Sequence, residues 1–252
     1  MNEINNILNG MQSISLEDMQ SVQLQNRIDT KFVFHRRLLP EILLKMRSNY
    51  AVFEIENQRI CAYESIYFDT EGLQFYLDHH NRKNHRIKVR KRRYLSNGLS
   101  FFEIKEKRAG RTIKKRIPTE TFSNDLTTEE ERFLADEWKT KLNLQVAIQN
   151  HYYRITLVDH AKTERITLDL QIRFTKESQS QELDYLVIAE LKQGKINRGS
   201  AFFELMREMK IAPFRISKYC IGSLLLQEED KIKYNRFKRK LLKLKKIAND
   251  FE

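Results

Sequence analysis

The chain of 252 residues carries 46 Lys and Arg against 34 Asp and Glu, a formal net charge of +12, with 40% apolar residues. That balance points to anionic partners, whether nucleic acid, an acidic membrane surface or phosphate compounds. Only seven Gly and three Pro occur, and no apolar run approaches the roughly 20 residues of a spanning helix, which argues against flexibly linked beads and a transmembrane helix. Cys61 and Cys220 stand far apart without C-x-x-C spacing, so both read as reduced packing residues. The expectation is one compact cytoplasmic unit.

In chain order, residues 1–24 read as a helical segment, with Ile4, Ile7, Leu8 and Met11 as one apolar stripe and Ser15 with Asp18 as a capping-box-like second start. The stretch 26–34 alternates Arg27, Asp29, Lys31 and Val33 against Ile28, Thr30, Phe32 and Phe34, a half-buried strand with both signs of charge on its polar face. Pro40 opens a helix striped by Ile42, Leu43 and Met46. Residues 51–70 read as two strands joined near Asn57 and Gln58. They end at Asp69 and Thr70, a natural start for the short amphipathic piece that follows.

The stretch 85–116 organises the chain. Steps of two put Arg86, Lys88, Arg90, Arg92 and Tyr94 on one strand face, with Ile87 and Val89 behind. An Asn97-Gly98 turn, expected to hold both central residues at positive φ, leads to a strand with Glu103, Lys105 and Lys107 on one face and Phe102 and Ile104 on the other. A third run adds Lys114 and Arg116. Parallel rows of fixed cations repel one another unless an anion sits between them, so this is read as a site for a multiply charged anion, phosphate chains foremost.

Thr127 or Thr128 with Glu130 and Glu131 starts a helix through Lys141 that carries Trp138 as a packing residue. Residues 146–158 are strand-like, and the next strand alternates Arg165, Thr167, Asp169, Gln171 and Arg173 against Ile166, Leu168 and Ile172. The last strong strand stays apolar until Glu190 and Lys192 appear on one face. Ser200 and Ser217 cap two further helices, the second with Arg215 and Lys218 beside its start. Residues 227–252 form a basic helical tail with Leu241, Leu244 and Ile247 partly in register; it is either a solvated tail or a surface for an anionic membrane or acidic partner.

About eight strands thus have one apolar and one charged face. A closed antiparallel β-barrel tunnel of α+β class, with a polar cationic lumen and helices packed outside, satisfies both halves of that pattern.

Several ordered pieces resemble the VTC domain, the polyphosphate polymerase branch of the triphosphate tunnel metalloenzymes: Arg27-x-Asp29-x-Lys31-Phe32, Tyr63-x-Ser65-x-Tyr67-Phe68-Asp69-Thr70, Arg90-x-Arg92-x-Tyr94 and Phe102-Glu103-x-Lys105. They continue with Tyr152-x-Arg154, Arg165-x-x-x-Asp169, Glu190-x-Lys192 and Arg215-x-x-Lys218-Tyr219, so that residues 25–226 form the tunnel domain. The resemblance implies a barrel that binds a nucleoside triphosphate such as ATP, moves its γ-phosphate onto polyphosphate with a divalent metal, and passes the chain along the tunnel. Carried over by position, Arg90, Arg92, Lys105, Arg154, Arg165, Arg215 and Lys218 hold phosphate oxygens, with Lys31 on the entering strand. Guanidinium forks and mobile ammonium groups suit that role. Tyr152, Lys192 and Lys114 face the nucleotide and phosphate, Glu190 holds Mn²⁺ or Mg²⁺, and Asp29, Glu103 and Asp169 are further ligands or charge balancers.

Arg27 and Asp29 stand where small-triphosphate hydrolases carry Glu-x-Glu, which shifts weight from hydrolysis to polymer handling, and Lys107 stands where some polymerases have a histidine. The flanks leave no room for the sensing domain and membrane spans of fungal relatives, so membrane coupling is expected to need a separate partner, reached through the basic tail. A triphosphatase on the same tunnel and a non-catalytic polyphosphate-binding module are the competing readings. Specific nucleic-acid binding is disfavoured, because few exposed aromatics interleave with the basic face.

Overall fold

Alternating strands with one apolar face need something to cover it, and the fold supplies two helical layers for that purpose. The computed structural model describes residues 1–21, 28–108, 111–138, 142–227 and 232–250; Arg27 and Lys141 lie outside them. The helices are α1 (Asn2–Asn9), α2 (Leu16–Ser21), α3 (Leu39–Met46), α4 (Gln74–His80), α5 (Thr128–Trp138), α6 (Ala201–Glu208), α7 (Lys218–Leu225) and α8 (Lys238–Asn249). The strands are β1 (Ser13–Ile14), β2 (Ile28–His35), β3 (Tyr50–Phe53), β4 (Cys61–Asp69), β5 (Arg86–Tyr94), β6 (Ser100–Arg108), β7 (Arg111–Pro118), β8 (Gln145–Asp159), β9 (Glu164–Lys176), β10 (Gln179–Leu183) and β11 (Leu186–Gln193).

Eight strands form one antiparallel ladder in the order β2-β11-β9-β8-β4-β5-β6-β7. The ladder curls until side chains from all eight strands face a single cavity. Among the described residues its end strands, β2 and β7, do not pair with each other, so the wall is a curled sheet and not the fully hydrogen-bonded ring expected from the sequence. Short β1 pairs in parallel with β3, β3 extends β8, and β10 returns along β9.

On the convex side, α1, α3 and α6 cover the β2-β11-β9-β8 half with Leu8, Leu43 and Phe202 against Phe32, Leu168 and Leu191. Helix α5 covers the other half, setting Leu134 on Ile87, Val89 and Phe102. Its start is a capping box in which Glu130 N–H donates to Thr127 Oγ1 at 3.2 Å while the Glu130 carboxylate accepts from Thr127 N–H at 2.8 Å. Beneath it Lys91, on the reverse of the cationic face, pairs with Glu130 at 3.0 Å; their side chains are 0% and 1% exposed.

Three local expectations change. Only Gly98 of the hairpin turn takes positive φ, at 71°, because residues 95–99 form a longer loop between the Arg93–Ser100 rung and the solvent. The polar face of β9 is interrupted at Gln171, which has φ 49° opposite a register shift in β8; beyond it Ile172 and Phe174 turn inward and Arg173 pairs with Glu182 at 2.6 Å outside. The basic tail is also not merely solvated. Leu244 and Ile247 are buried, Phe237 meets Tyr76 and His80 edge-on, and α8 docks onto β2 and β11 in the same core as α7.

Helix α7 closes one end of the concave side. Gly222 lies so near Phe174 and Ile148 that an added Cβ would come within 2.6 Å of both side chains, and Asp69 accepts from Phe75 and Tyr76 N–H and from the Tyr219 hydroxyl, tying α4 to α7.

Removing one partner of a fully buried pair strands the other charge. Glu130→Ala is therefore expected to lose about 3–5 kcal/mol in chemical denaturation, while Lys91→Met/Glu130→Leu recovers most of it.

Candidate functional site

The cavity encloses about 520 Å³ and, among the described residues, is lined by eleven Lys and Arg side chains but only two carboxylates, Asp169 and Glu190. It opens at the β5–β6 hairpin end past Tyr94, Asn97, Leu99 and Phe101 and runs towards α7, whose first residue is Lys218.

Its charges are arranged as three carboxylates, each clamped by two cations. Glu103, behind the wall, accepts from Arg90 Nε at 2.8 Å and Nη2 at 2.6 Å and pairs with Lys114. Asp169 accepts a two-pronged bond from Arg154, at 2.6 and 2.9 Å, and pairs with Lys218. Glu190 pairs with Lys31 at 3.1 Å and with Lys192. Burial by itself would raise all three carboxyl pKa values, but the adjacent cations outweigh it and hold them far below the usual carboxylate range.

A second set of cations faces the cavity without an ion-paired carboxylate among the described residues: Lys88, Arg92, Lys105 and Arg116. Arg92 donates to Ser65 Oγ at 3.3 Å and lies over the Tyr63 and Tyr152 rings, and Arg116 lies 4.2 Å from the Phe101 ring centre. Such faces hold a guanidinium in place without neutralising it. Arg90, burial and Arg92, in that order, drive Lys105 well below the ordinary lysine range. Burial brings Lys88 down to about 8.

The structure gathers Lys31, Arg90, Arg92, Lys105, Lys114, Arg154, Arg165, Asp169, Glu190, Lys192 and Lys218 around this one space. Tyr152 is instead fully buried behind it, a platform with Tyr63 stacked at 5.4 Å and with Arg154 and Lys218 over its ring. Arg215 is exposed and outside the lining. Lys88 belongs to the lining itself, as its alternation with Arg90 and Arg92 allows. Tyr67, from a quoted motif, also lines the cavity and accepts from Arg90 at 3.1 Å. The apolar mouth residues Leu16 and Met19 carry no sequence signal of this role.

Among the described residues no three His, Cys, Asp or Glu side chains assemble into a metal cage. All three carboxylates are paired with two cations. Glu190, whose side chain is 22% exposed against 0% and 4% for Glu103 and Asp169, is the one that best fits a hard divalent ion whose remaining ligands would be substrate oxygens.

Lys88, Lys114, Lys192 and Lys218 are each lowered to about 8, with burial as the largest cause. A bound polyanion raises them, so its binding takes up protons near and above that pH. Tripolyphosphate affinity, measured by calorimetry, should fall by at least about tenfold between pH 7.5 and 9.5. Unfolded lysines titrate near 10.4, so between about 8 and 10 the unfolded chain binds more of these protons and the lysine contribution to the stability of the free protein rises with pH. The two opposite slopes are the expected signature.

No curated protein matches the chain. Among solved structures, the PH1819 protein from Pyrococcus horikoshii OT3 is similar at 16% identity and a TM-score of 0.45, with 82% of this chain and 99% of that one covered. A Hippeastrum protein with a dominant triphosphatase activity is similar at 11% identity and a TM-score of 0.48, with 80% and 98% covered. Residues 26–227, which include every lining side chain except Leu16 and Met19, match the family described as the VTC domain, and the chain belongs to that family.

Proposed function

We propose that the protein is a metal-dependent polyphosphate polymerase, a phosphotransferase that moves the γ-phosphoryl group of ATP to a polyphosphate chain and releases ADP. The observation that carries this reading is the cavity in which Lys88, Arg92, Lys105 and Arg116 face the space without an ion-paired carboxylate among the described residues, while six other cations are tied to Glu103, Asp169 and Glu190. The paired set is a rigid frame, and the unpaired set is the seat for phosphate oxygens.

In the transfer, a terminal oxygen of the chain forms a bond to the γ-phosphorus as the bond to the β-phosphate bridging oxygen breaks, and the electron pair leaves with ADP. Such a reaction needs alignment and charge neutralisation more than a protein nucleophile. Lys88, Arg92 and Lys105 would neutralise the transferring group, Arg90, Arg154 and Lys218, each held by its carboxylate, would frame its neighbours, and Arg165 would meet phosphate at the wall of β9. Glu190 would hold Mn²⁺ or Mg²⁺, which when bound supplies Lewis-acid neutralisation of phosphate oxygens. Tyr94, Leu99 and Phe101 at the hairpin mouth suit the nucleoside end.

No helix among the described residues is long and apolar enough to cross a membrane. A cytoplasmic location, with any membrane partner met through the exposed cations of α8, belongs to the same reading.

Purified protein with ATP and Mn²⁺ should make a polymer degraded by exopolyphosphatase and release ADP. ADP or phosphate without polymer would instead identify a triphosphatase, and polyphosphate binding without turnover a binding module. Glu190→Gln should reduce turnover by at least about a hundredfold while polyphosphate affinity changes by less than about threefold.

A further inference from the structure

Helix α8 is built against its own electrostatics. From residue 231 to residue 249 the chain carries nine Lys and Arg and no Asp or Glu; Glu228, Glu229 and Asp230 precede the run and Asp250 follows it. The first turn of α8 holds no acid and has no side-chain cap, so Lys238, Arg239 and Lys240 stand at the positive end of the helix dipole. Arg239 and Lys243, and Lys243 and Lys246, repel at the spacings that bring helical side chains together. The inner face holds the helix in spite of this: Leu244 and Ile247 are buried, and Phe237 seats its entry on Tyr76 and His80.

The outer face is therefore fixed in place and open. At its centre stands Leu242, 56% exposed. Helical spacing surrounds it with Lys238 and Arg239 one turn before and Lys245 and Lys246 one turn after, all four exposed. Among the described residues no carboxylate forms an ion pair with these four or with Lys243. The basic face continues towards α4, because Arg236 Nη1 donates to the Asn81 carbonyl at 2.9 Å, next to exposed Arg82.

We propose that the outer face of α8 docks the protein on an anionic lipid bilayer, with Leu242 entering the boundary between headgroups and acyl chains and the surrounding cations meeting lipid phosphates and carboxylates. Charge complementarity alone would also admit a nucleic acid or a soluble phosphate chain. Leu242 decides between them: a large apolar side chain ringed by cations gains contact in a bilayer interface and none along a phosphate backbone. Lysine and arginine stems can lie beside it while their heads stay in the polar layer. The helix lies outside the matched residues 26–227. The bilayer itself takes the place of a separate membrane partner, and the docking stands independently of what the cavity catalyses.

The test sediments the full chain with vesicles of phosphatidylcholine alone, or of phosphatidylcholine with phosphatidylserine. Wild type should partition at least about tenfold more strongly onto the second and lose most of that preference at about 0.5 M salt. Leu242→Ser should weaken binding to the anionic vesicles at least about threefold, and Lys245→Gln/Lys246→Gln at least about tenfold. Both variants should keep the helical signal in circular dichroism and bind tripolyphosphate within about twofold of wild type, which removes misfolding as a cause. A wild type indifferent to phosphatidylserine, or a Leu242→Ser variant that binds the anionic vesicles as wild type does, would overturn the proposal. Tighter binding to a short RNA duplex than to the anionic vesicles, unaffected by Leu242→Ser, would overturn it too and assign the face to nucleic acid. A wild type that docks on the vesicles but binds no tripolyphosphate would uphold the docking and overturn the cavity reading instead.

Discussion

The constraint on which the rest of the structure depends is the electrostatic cost of assembling eleven cations around one cavity. Like charges at such spacing, in a partly dehydrated space, would push the curled sheet apart. The fold answers with three carboxylates, one from each of β6, β9 and β11: Glu103 and Asp169 grip cations from neighbouring elements, and Glu190 grips Lys31 of β2 and Lys192 of its own strand. Asp169 thus joins β8 and β9 to α7, and Glu103 joins β5, β6 and β7. The ion pairs are partly structural, and the wall holds Lys88, Arg92, Lys105 and Arg116 at fixed places without an ion-paired carboxylate among the described residues, which is what the proposed polyanion seat requires.

Aromatic rings do a second part of that work. Tyr63, Tyr67 and Tyr152 stand behind Arg90, Arg92 and Arg154, and Tyr219 stacks on Tyr67 while donating to Asp69 at the end of β4. A ring supports a guanidinium without cancelling its charge. The cavity therefore combines paired and unpaired cations on one rigid frame, with Lys218 at the start of α7 lining its far end.

Much of this was legible in the sequence because a strand writes its two faces at period two. Arg90, Arg92 and Lys105 could be placed together from alternation alone, and the caps at Ser15, Thr127, Ser200 and Ser217 all form where their patterns put them. What was not legible is set by long-range pairing. The bulge at Gln171 needs positive φ at a residue with no glycine to announce it, so the polar face of β9 was extended to Arg173. The roles of Glu103 and Asp169 depend on Lys114 and Lys218, which arrive from other elements. Tyr152 reads as a polar group in a motif, and only its burial identifies it as a platform. The α8 stripe was visible, but its docking surface was not.

On the proposed function, Lys88, Arg92, Lys105 and Arg116 of β5, β6 and β7 seat a chain of phosphates inside the curled sheet. The most direct measurement is a crystal structure of the full chain with inorganic tripolyphosphate at moderate ionic strength. Phosphate oxygens are expected within hydrogen-bonding distance of Lys88, Arg92 and Lys105, with the Asp169 and Glu103 clamps still intact. Tripolyphosphate bound on the exposed face of α8 or on the convex side, with the cavity cations free of it, would contradict the account.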